Sequence, residues 1–402
     1  MDSLRNGVRF LLENSLFLIA GTAIALVMAN THHETYHHLV HTEATPHLTL
    51  HFLVNEILMC FFFALATKEI WEALLPGGAL SSPKKAATPL IATAGGVIGP
   101  AALYIAGAVA FGASHLIRGW AIPCATDIAF SYLVARLVFG KGHPAIPFLL
   151  LLAIADDAAG LIILAVAYPT GEMHLGLFFL CVVGAIMFNL LILRRLLKAQ
   201  SFWLYLAVAA PLSWWGFFKG GIHPALALVP IIPTLPHGKG DAGYFEGAMD
   251  QHPQDPLNRF EHWWKNPVEL ILMLFGFANA GVAFSAFGLG TGLVSVGLLV
   301  GKPVGISLFT VVACRLLKLE LPEGMNGRDL VVLGCMAGIG FTVALFVATV
   351  AFPAGAALDA AKMGALFSFG ASFVSLIAAV VLRAGRFAPG DGRGEQVPAL
   401  DG

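Results

Sequence analysis

Charged residues are scarce in this sequence. Asp, Glu, Lys and Arg make up 12% of its 402 residues, against about 25% in soluble globular proteins. Hydrophobic residues make up 58%, and apolar runs follow one another along the chain. This pattern excludes an ordinary soluble domain and predicts an all-α polytopic membrane protein in a lipid bilayer. Basic charge is not in excess either, since the formal net charge is −1, so nothing in the composition points to nucleic acid as a partner.

Cysteine pairs and long polar segments are also lacking. The five cysteines lie within apolar runs or at their ends, and none have the spacing of a disulfide framework or a metal site. The longest polar stretch, 236–265, is too short for a soluble domain. We therefore predict one transmembrane domain over 1–386, a cytoplasmic loop over 237–265 and a disordered cytoplasmic tail over 387–402.

The apolar runs predict about twelve transmembrane helices. They cover 10–30, 52–75, 88–111, 116–138, 146–168, 174–194, 202–217, 220–236, 267–286, 290–312, 329–353 and 363–384. With the N-terminus in the cytoplasm, all but four of the 23 Lys and Arg residues fall on cytoplasmic segments. The exceptions are Arg118, Lys219, Lys362 and the mid-span Lys302. This bias predicts that both termini are cytoplasmic.

Histidine is concentrated in the segment 32–51, where His33, His37 and His41 are spaced four residues apart. On the predicted topology this segment is external. The spacing is compatible with a metal site or a pH-responsive patch. A solvated external loop is the simpler interpretation, and we adopt it.

Two adjacent aspartates interrupt an apolar run. Asp156 and Asp157 are the only charged residues between Ile146 and Tyr168, which places both carboxylates about 15 Å from either membrane surface. A charge at this depth is costly and by default functional; a purely structural ion pair is the alternative. Adjacent helical residues point about 100° apart, so one carboxylate can line a cavity while the other faces a cationic partner.

Two predicted helices contain residues that weaken a helix at mid-membrane. In the fourth, Pro123 precedes Thr126 and Asp127, and in the eleventh, Gly338 and Gly340 lie near the centre. A proline kink or close glycine packing would explain either pattern alone. Lipid cannot hydrogen-bond freed backbone groups, so a true interruption would have to line a cavity or be packed within protein.

The two weakened helices occupy equivalent places in the chain. Each is the middle helix of a group of three, spans three to five and spans ten to twelve, and an offset of seven spans inverts the second group relative to the first. Inverted repeats with broken helices that cross are typical of secondary transporters. At such a crossing, Asp127 has the sign that compensates facing helix N-termini. Lys302, in span ten, is positive and would compensate the partial negative charge of facing helix C-termini. Without a carboxylate partner, its side chain would have to extend to the membrane surface.

Two close acids at low dielectric do not ionise independently. A hard monovalent cation with oxygen ligands can replace their protons, and protons can replace the cation. If the site of Asp156 and Asp157 opens alternately to each side of the membrane, this competition is sufficient for exchange by alternating access.

Six segments resemble the NhaA-type sodium/proton antiporters of bacterial inner membranes over essentially the full folded length. They are AIPCATDIAF (121–130), LAIADDAAG (152–160), FANAGV (277–282), GLLVGKPVGISLF (297–309), LPEG (321–324) and GIGFT (338–342). The resemblance implies twelve helices with inverted repeats and an electrogenic exchanger rather than an enzyme. Such a protein exports Na+ or Li+ in exchange for H+, with two protons imported for each sodium exported. It also switches on at alkaline pH, forms a homodimer and has no cofactor.

The resemblance also assigns residues to the transport site. Asp156 and Asp157 would carry the protons and bind Na+ or Li+, with Thr126 near the ion. Asp127 and Lys302 would balance the crossing helices.

A pH response is the part of the resemblance that fits least well. Four residues resemble those of the family's pH response: Glu69, His223, Glu261 and His262. After the second span the family usually shows Glu-Val-Lys-Arg-Glu, whereas this chain has Glu69-Ile-Trp-Glu-Ala73. The basic residues and the last acid are missing, which leaves pH regulation open.

Two other functions stay open at this point. A sodium-coupled solute symporter of similar fold would need a cavity large enough for an organic substrate. An intramembrane aspartyl protease could use Asp127 and Asp157, but it would not explain Lys302 or the repeats, and the chain lacks the Gly-x-Gly-Asp pattern of such enzymes.

Overall fold

The computed structural model describes residues 16–45, 48–237 and 255–388. The start of the first predicted span, most of the predicted loop 237–265 and nearly all of the predicted tail 387–402 lie outside these residues. The α-helices, numbered in chain order, are α1 (Leu16–Thr31), α2 (His33–His41), α3 (Leu50–Leu74), α4 (Pro83–Ala110), α5 (Ile128–Phe139), α6 (Ala145–Ala167), α7 (Leu175–Leu196), α8 (Phe202–Gly220), α9 (Pro256–Asn279), α10 (Leu289–Leu316), α11 (Gly327–Ala337), α12 (Phe341–Ala351), α13 (Ala356–Phe367) and α14 (Gly370–Leu382).

Among the described residues, six helical segments are long and apolar enough to cross a membrane. Two further candidates are bent pairs. Ser114–Cys124 with α5 bends by 54°, and α11 with α12 bends by 49°. These pairs are the fourth and eleventh predicted spans, so the predicted all-helical membrane fold with two interrupted helices is confirmed. The count of twelve spans stays a prediction.

One predicted span is wrong as a helix. The segment 220–236 forms short 3₁₀ turns, at Pro224–Leu226 and Ile232–Thr234, and much of it is buried. Prolines occur repeatedly along it, and each lacks an amide hydrogen and would clash with the preceding helical turn. Irregular backbone of this kind is tolerated in a membrane protein because the surrounding helices cover it.

Two predicted loops are more ordered than expected. The histidine-rich segment 32–51 contains α2 and a small antiparallel hairpin, Glu43–Thr45 with Leu48–Thr49. The described end of the predicted loop 237–265 is helical from Pro256, because the Asp255 side chain accepts a hydrogen bond from the Asn258 amide (3.0 Å) and proline suits the first helical position.

Equivalent helices of the two predicted repeats pack against each other. Helix α4, from the first group, contacts α10, from the second, where glycines of both lie opposite one another. A β-carbon on Gly305 would lie 2.1 Å from the carbonyl oxygen of Gly95. The two backbones therefore touch with no room for a side chain, which is a common means of association between membrane helices.

This close approach predicts that Gly305→Ala destabilises the protein. The added methyl group must push two backbones apart, and such overpacking costs about 1–3 kcal/mol. The measurement is the temperature at which the detergent-solubilised protein loses its native tryptophan fluorescence. The matched control is Gly292→Ala on the same helix, where a β-carbon meets nothing within 4 Å. Equal melting temperatures for the two variants would contradict the packing argument.

Candidate functional site

The first interruption is set by the local sequence around Pro123. A 3₁₀ turn over Ile122–Cys124 ends in extended backbone at Ala125, and α5 starts only after Asp127. The Asp127 side chain caps α5 by accepting a hydrogen bond from the Phe130 amide (3.4 Å). Proline at the turn and an aspartate cap thus end one half-helix and begin the next.

The second interruption lies directly against the first. The Asp127 amide donates to the carbonyl of Ile339 (2.6 Å), which belongs to the break between α11 and α12. A β-carbon on Gly340 would lie 2.8 Å from the Ala125 carbonyl oxygen, so only glycine fits there. The two broken helices therefore cross at their breaks, and each supplies backbone partners for the other.

The carboxylate of Asp127 lies between two helix N-termini. Besides capping α5, it accepts hydrogen bonds from the Thr342 hydroxyl and, at 3.3 Å, from the Thr342 amide in the first turn of α12. Helix N-termini carry about half a positive charge each. A buried anion at this point, 7% exposed, is therefore compensated on both sides.

Lys302 lies at the C-terminal end of the half-helix that precedes the first break. Its side chain is fully buried, and its ammonium group donates to the Cys124 carbonyl, at the end of the half-helix before the break. The same ammonium lies 2.6 Å from the Asp156 carboxylate. Lys302 thus neutralises both a helix C-terminus and one of the two adjacent acids.

Asp156 and Asp157 differ sharply in their contacts. Oδ2 of Asp156 binds Lys302 and lies 2.7 Å from the Thr126 hydroxyl, while its Oδ1 is buried with no hydrogen-bond partner in the described part of the chain. Asp157 instead lines a cavity of about 390 Å3. Lys302 therefore holds Asp156 in place, whereas Asp157 can be reached from the cavity.

The cavity connects the helix crossing with one end of the bundle. Its lining at the crossing includes Asp157, Thr126, Asp127 and Thr342. Its lining toward the end of the bundle includes Glu69, Arg136, Glu261 and Lys265, which lie near the end of α3, the end of α5 and the beginning of α9. A hydrated ion could therefore approach Asp157 from this end.

A buried lysine that the sequence analysis did not single out contacts two acids that line this cavity and a third acid beside them. Lys68, 2% exposed, lies 2.6 Å from Glu72 and 3.9 Å from Glu69, and it also contacts Glu261. Three carboxylates thus share one ammonium, which lies among the charged side chains at this end of the cavity. The i, i+4 spacing of Lys68 and Glu72 was the signal available in the sequence.

The four candidates for a pH response do not form one group. Glu69 and Glu261 meet at Lys68, but His223 is buried elsewhere, beside Glu56, and His262 is exposed. Within the described residues, His33, His37, His38 and His41 lie on α2 and are exposed, whereas His51 lies at the start of α3 and is partly buried. In the described residues, no group of three or more His, Cys, Asp or Glu side chains is placed to hold a metal ion.

Broken helices that cross beside a charged, accessible cavity define a secondary transporter of ions. Comparison with known proteins narrows the class. Residues 9–382 match the family model described as Na+/H+ antiporter 1, and the chain belongs to that family.

Individual relatives share most of their length with this chain. A protein of Jannaschia sp. (strain CCS1) named Na(+)/H(+) antiporter NhaA is 52% identical, over 92% of this chain and 96% of the relative. One of the same name from Geotalea uraniireducens (strain Rf4) is 48% identical, over 93% and 96%. The solved structure of the sodium proton antiporter MjNhaP1 from Methanocaldococcus jannaschii is 13% identical, with a TM-score of 0.49, and covers 93% of this chain and 91% of its own.

The contacts of Lys302 predict that Lys302→Ala lowers the free energy of unfolding by about 3–5 kcal/mol, because Asp156 would keep its buried charge without a partner. Adding Asp156→Asn should recover part of this loss. Scanning calorimetry of the solubilised protein measures both effects, with Lys141→Ala at an exposed loop position as the control. A wild-type melting temperature for Lys302→Ala would show that the ion pair does not stabilise the crossing.

Proposed function

We propose that this protein exchanges Na+ or Li+ for H+ across the membrane by alternating access. The proposal depends on the observation that the two adjacent acids have different contacts. Asp157 is open to the cavity, while Asp156 is held by Lys302 and Thr126. Family membership and the names of the relatives support the same exchange.

The exchange follows from competition at Asp157. A Na+ ion that enters the cavity leaves part of its water shell and binds oxygen ligands, among them the Asp157 carboxylate and the Thr126 hydroxyl, which line the cavity at the crossing. Protons compete for the same carboxylate. Because Asp156 is the adjacent residue, its charge influences the binding of a proton or a cation by Asp157.

The stoichiometry that we propose is two protons for one sodium. One proton belongs to Asp157 and the second to the unit formed by Asp156 and Lys302. Exchange in this ratio moves net charge, so the transport is electrogenic and the membrane potential drives sodium export.

The proposed setting is the inner membrane of a bacterium. The chain is a multi-pass membrane protein of a bacterial antiporter family. We assign both termini to the cytoplasm from the distribution of Lys and Arg, so the cavity beside Asp157 opens to the cytoplasm. The functional unit is a homodimer in the lipid bilayer.

The two alternative functions are less well supported. In an aspartyl protease, the acids would have to share one water molecule, but Asp127 is engaged by the amides of Phe130 and Thr342. A sodium-coupled symporter is not favoured by the relatives, which are named as Na(+)/H(+) antiporters. Addition of Na+ alone distinguishes the functions, because an exchanger dissipates a pH gradient without an organic solute.

Asp157→Asn should reduce Na+-driven proton movement to the level of empty liposomes, because the amide neither binds a proton nor attracts the cation. The measurement is a pH-sensitive dye inside proteoliposomes to which Na+, Li+ or K+ is added. The control is Glu172→Gln at a carboxylate that is 95% exposed. Undiminished flux in Asp157→Asn, with normal insertion, would remove this residue from the mechanism.

Competition also predicts how the apparent KM for Na+ depends on pH. As pH falls into the range in which the site binds protons, KM should rise by about tenfold per pH unit for one competing proton, and more steeply for two. Na+ titrations of the flux at a series of pH values measure this, with choline chloride to keep ionic strength constant. A KM that is independent of pH, with only the maximal rate changing, would exclude competition.

A further inference from the structure

An acid outside the cavity is left without a satisfied carboxylate. Glu56 lies in a π-helical stretch of α3, Leu53–Leu58, near the end of that helix opposite Glu69. Its Oε2 is buried and has no hydrogen-bond partner within the described ranges. A π-turn widens a helix at one point and is frequent at functional sites. We call the end of the bundle where the start of α3 meets the end of α9 the closed side. Glu56 lies on this side.

His223 faces this acid. It is 5% exposed, and its Nε2 lies 3.5 Å from Oε1 of Glu56. Its Nδ1 accepts a hydrogen bond from the Ala225 amide (3.3 Å). In the neutral ring, therefore, the proton is on Nε2 and points toward the carboxylate.

The polar side chains around Glu56 are engaged by other partners, and Oε2 of Glu56 accepts no hydrogen bond from any described residue. Asn55 and Asn279 exchange hydrogen bonds at 3.2 and 3.1 Å. Trp214 donates to the Glu56 carbonyl at 2.7 Å, and Cys60 donates to the carbonyl of Pro224 at 3.2 Å. These contacts join α3 to α8, α9 and the segment that carries His223.

The charges that act on this pair come from the closed side. His51, near the start of α3, interacts electrostatically with His223, and His51 in turn interacts with His41 and Lys362. From α9 the neutral amide of Asn279 pairs with Asn55, the residue before Glu56, and from α12 the ring of Phe346 packs against His223. The basic groups of the closed side therefore act on His223 through His51.

Aromatic rings separate this pair from the transport site. Phe346 lies 5.0 Å from the ring of His223 and 5.0 Å from the ring of Phe63. Both phenylalanines are buried. Phe63 also lines the narrow space, about 10 Å3, that touches Asp156 and Asp157. The direct route from Asp157 to Glu56 is thus closed by two apolar rings.

We propose that Glu56 and His223 form a second, outer proton-binding station, which takes up a proton from the external medium and supplies it to Asp157 when Phe63 and Phe346 separate. In the first step, hydronium transfers its proton to Oε2 of Glu56, and the carboxylate becomes a neutral acid. In the second, the proton passes through entering water to the Asp157 carboxylate, and Glu56 is again ionised. His223 positions Glu56 through Nε2. The inference rests on the proposed exchange.

The test separates the two sides of the membrane. In proteoliposomes with uniformly oriented protein, Na+ is loaded on the cytoplasmic side, and external pH is varied at fixed internal pH. For Glu56→Gln we expect the external pH of half-maximal rate to fall by about one unit, a tenfold higher proton concentration, because capture of scarce protons is impaired. The KM for cytoplasmic Na+ should be unchanged, which a general structural defect would not produce.

A second variant keeps the fold and removes only the facing nitrogen. His223→Asn retains a side-chain acceptor for the Ala225 amide but has no group in place of Nε2, and it should shift the external profile in the same direction. Glu56→Asp should restore part of the wild-type profile. Glu34→Gln, an exposed carboxylate of α2, is the control and should shift nothing.

The outcomes are distinguishable. If the wild-type protein moves no protons on addition of Na+ or Li+, the proposed exchange itself is wrong. If the wild-type protein exchanges normally but Glu56→Gln and His223→Asn show the wild-type external profile, or shift the internal and external profiles equally, then the outer station is overturned and the exchange stands.

Discussion

Backbone groups freed in the middle of a membrane must find partners within the protein, because lipid offers none. Here each of two interrupted helices solves this problem for the other. The Asp127 amide binds the Ile339 carbonyl, the Asp127 carboxylate binds the amide of Thr342, and Lys302 binds the Cys124 carbonyl. The glycine contacts between α4 and α10 hold the two groups of helices close enough for these bonds to form.

The same constraint explains why adjacent acids can behave differently. Lys302 binds the Cys124 carbonyl at the end of the first half-helix, and from the same position it also engages Asp156. Asp157, pointing about 100° away along the helix, has no share in this contact and lines the cavity. The structural requirement of the crossing thus fixes one carboxylate and leaves the other accessible to an ion.

The two ends of the bundle are chemically unlike. On the cavity side, three glutamates surround Lys68, and acidic and basic side chains together line the entrance. On the closed side, the packed rings of Phe63 and Phe346 lie between the narrow space at Asp157 and His223, the neighbour of Glu56. A site that is accessible from one side and sealed from the other is what alternating access requires of each of its end states.

Several features are fixed by residue identity and therefore could be predicted from the sequence. A charge within an apolar run must be accommodated, and proline, glycine and aspartate at mid-span break a helix, so the two interruptions and the residues Asp156, Asp157 and Lys302 could be identified directly. Tertiary structure alone decided which aspartate meets Lys302, because that depends on the rotation of α6 against α10. It also decided the meeting of Glu56 with His223. These depend on contacts between residues far apart in the chain, and no local pattern encodes them.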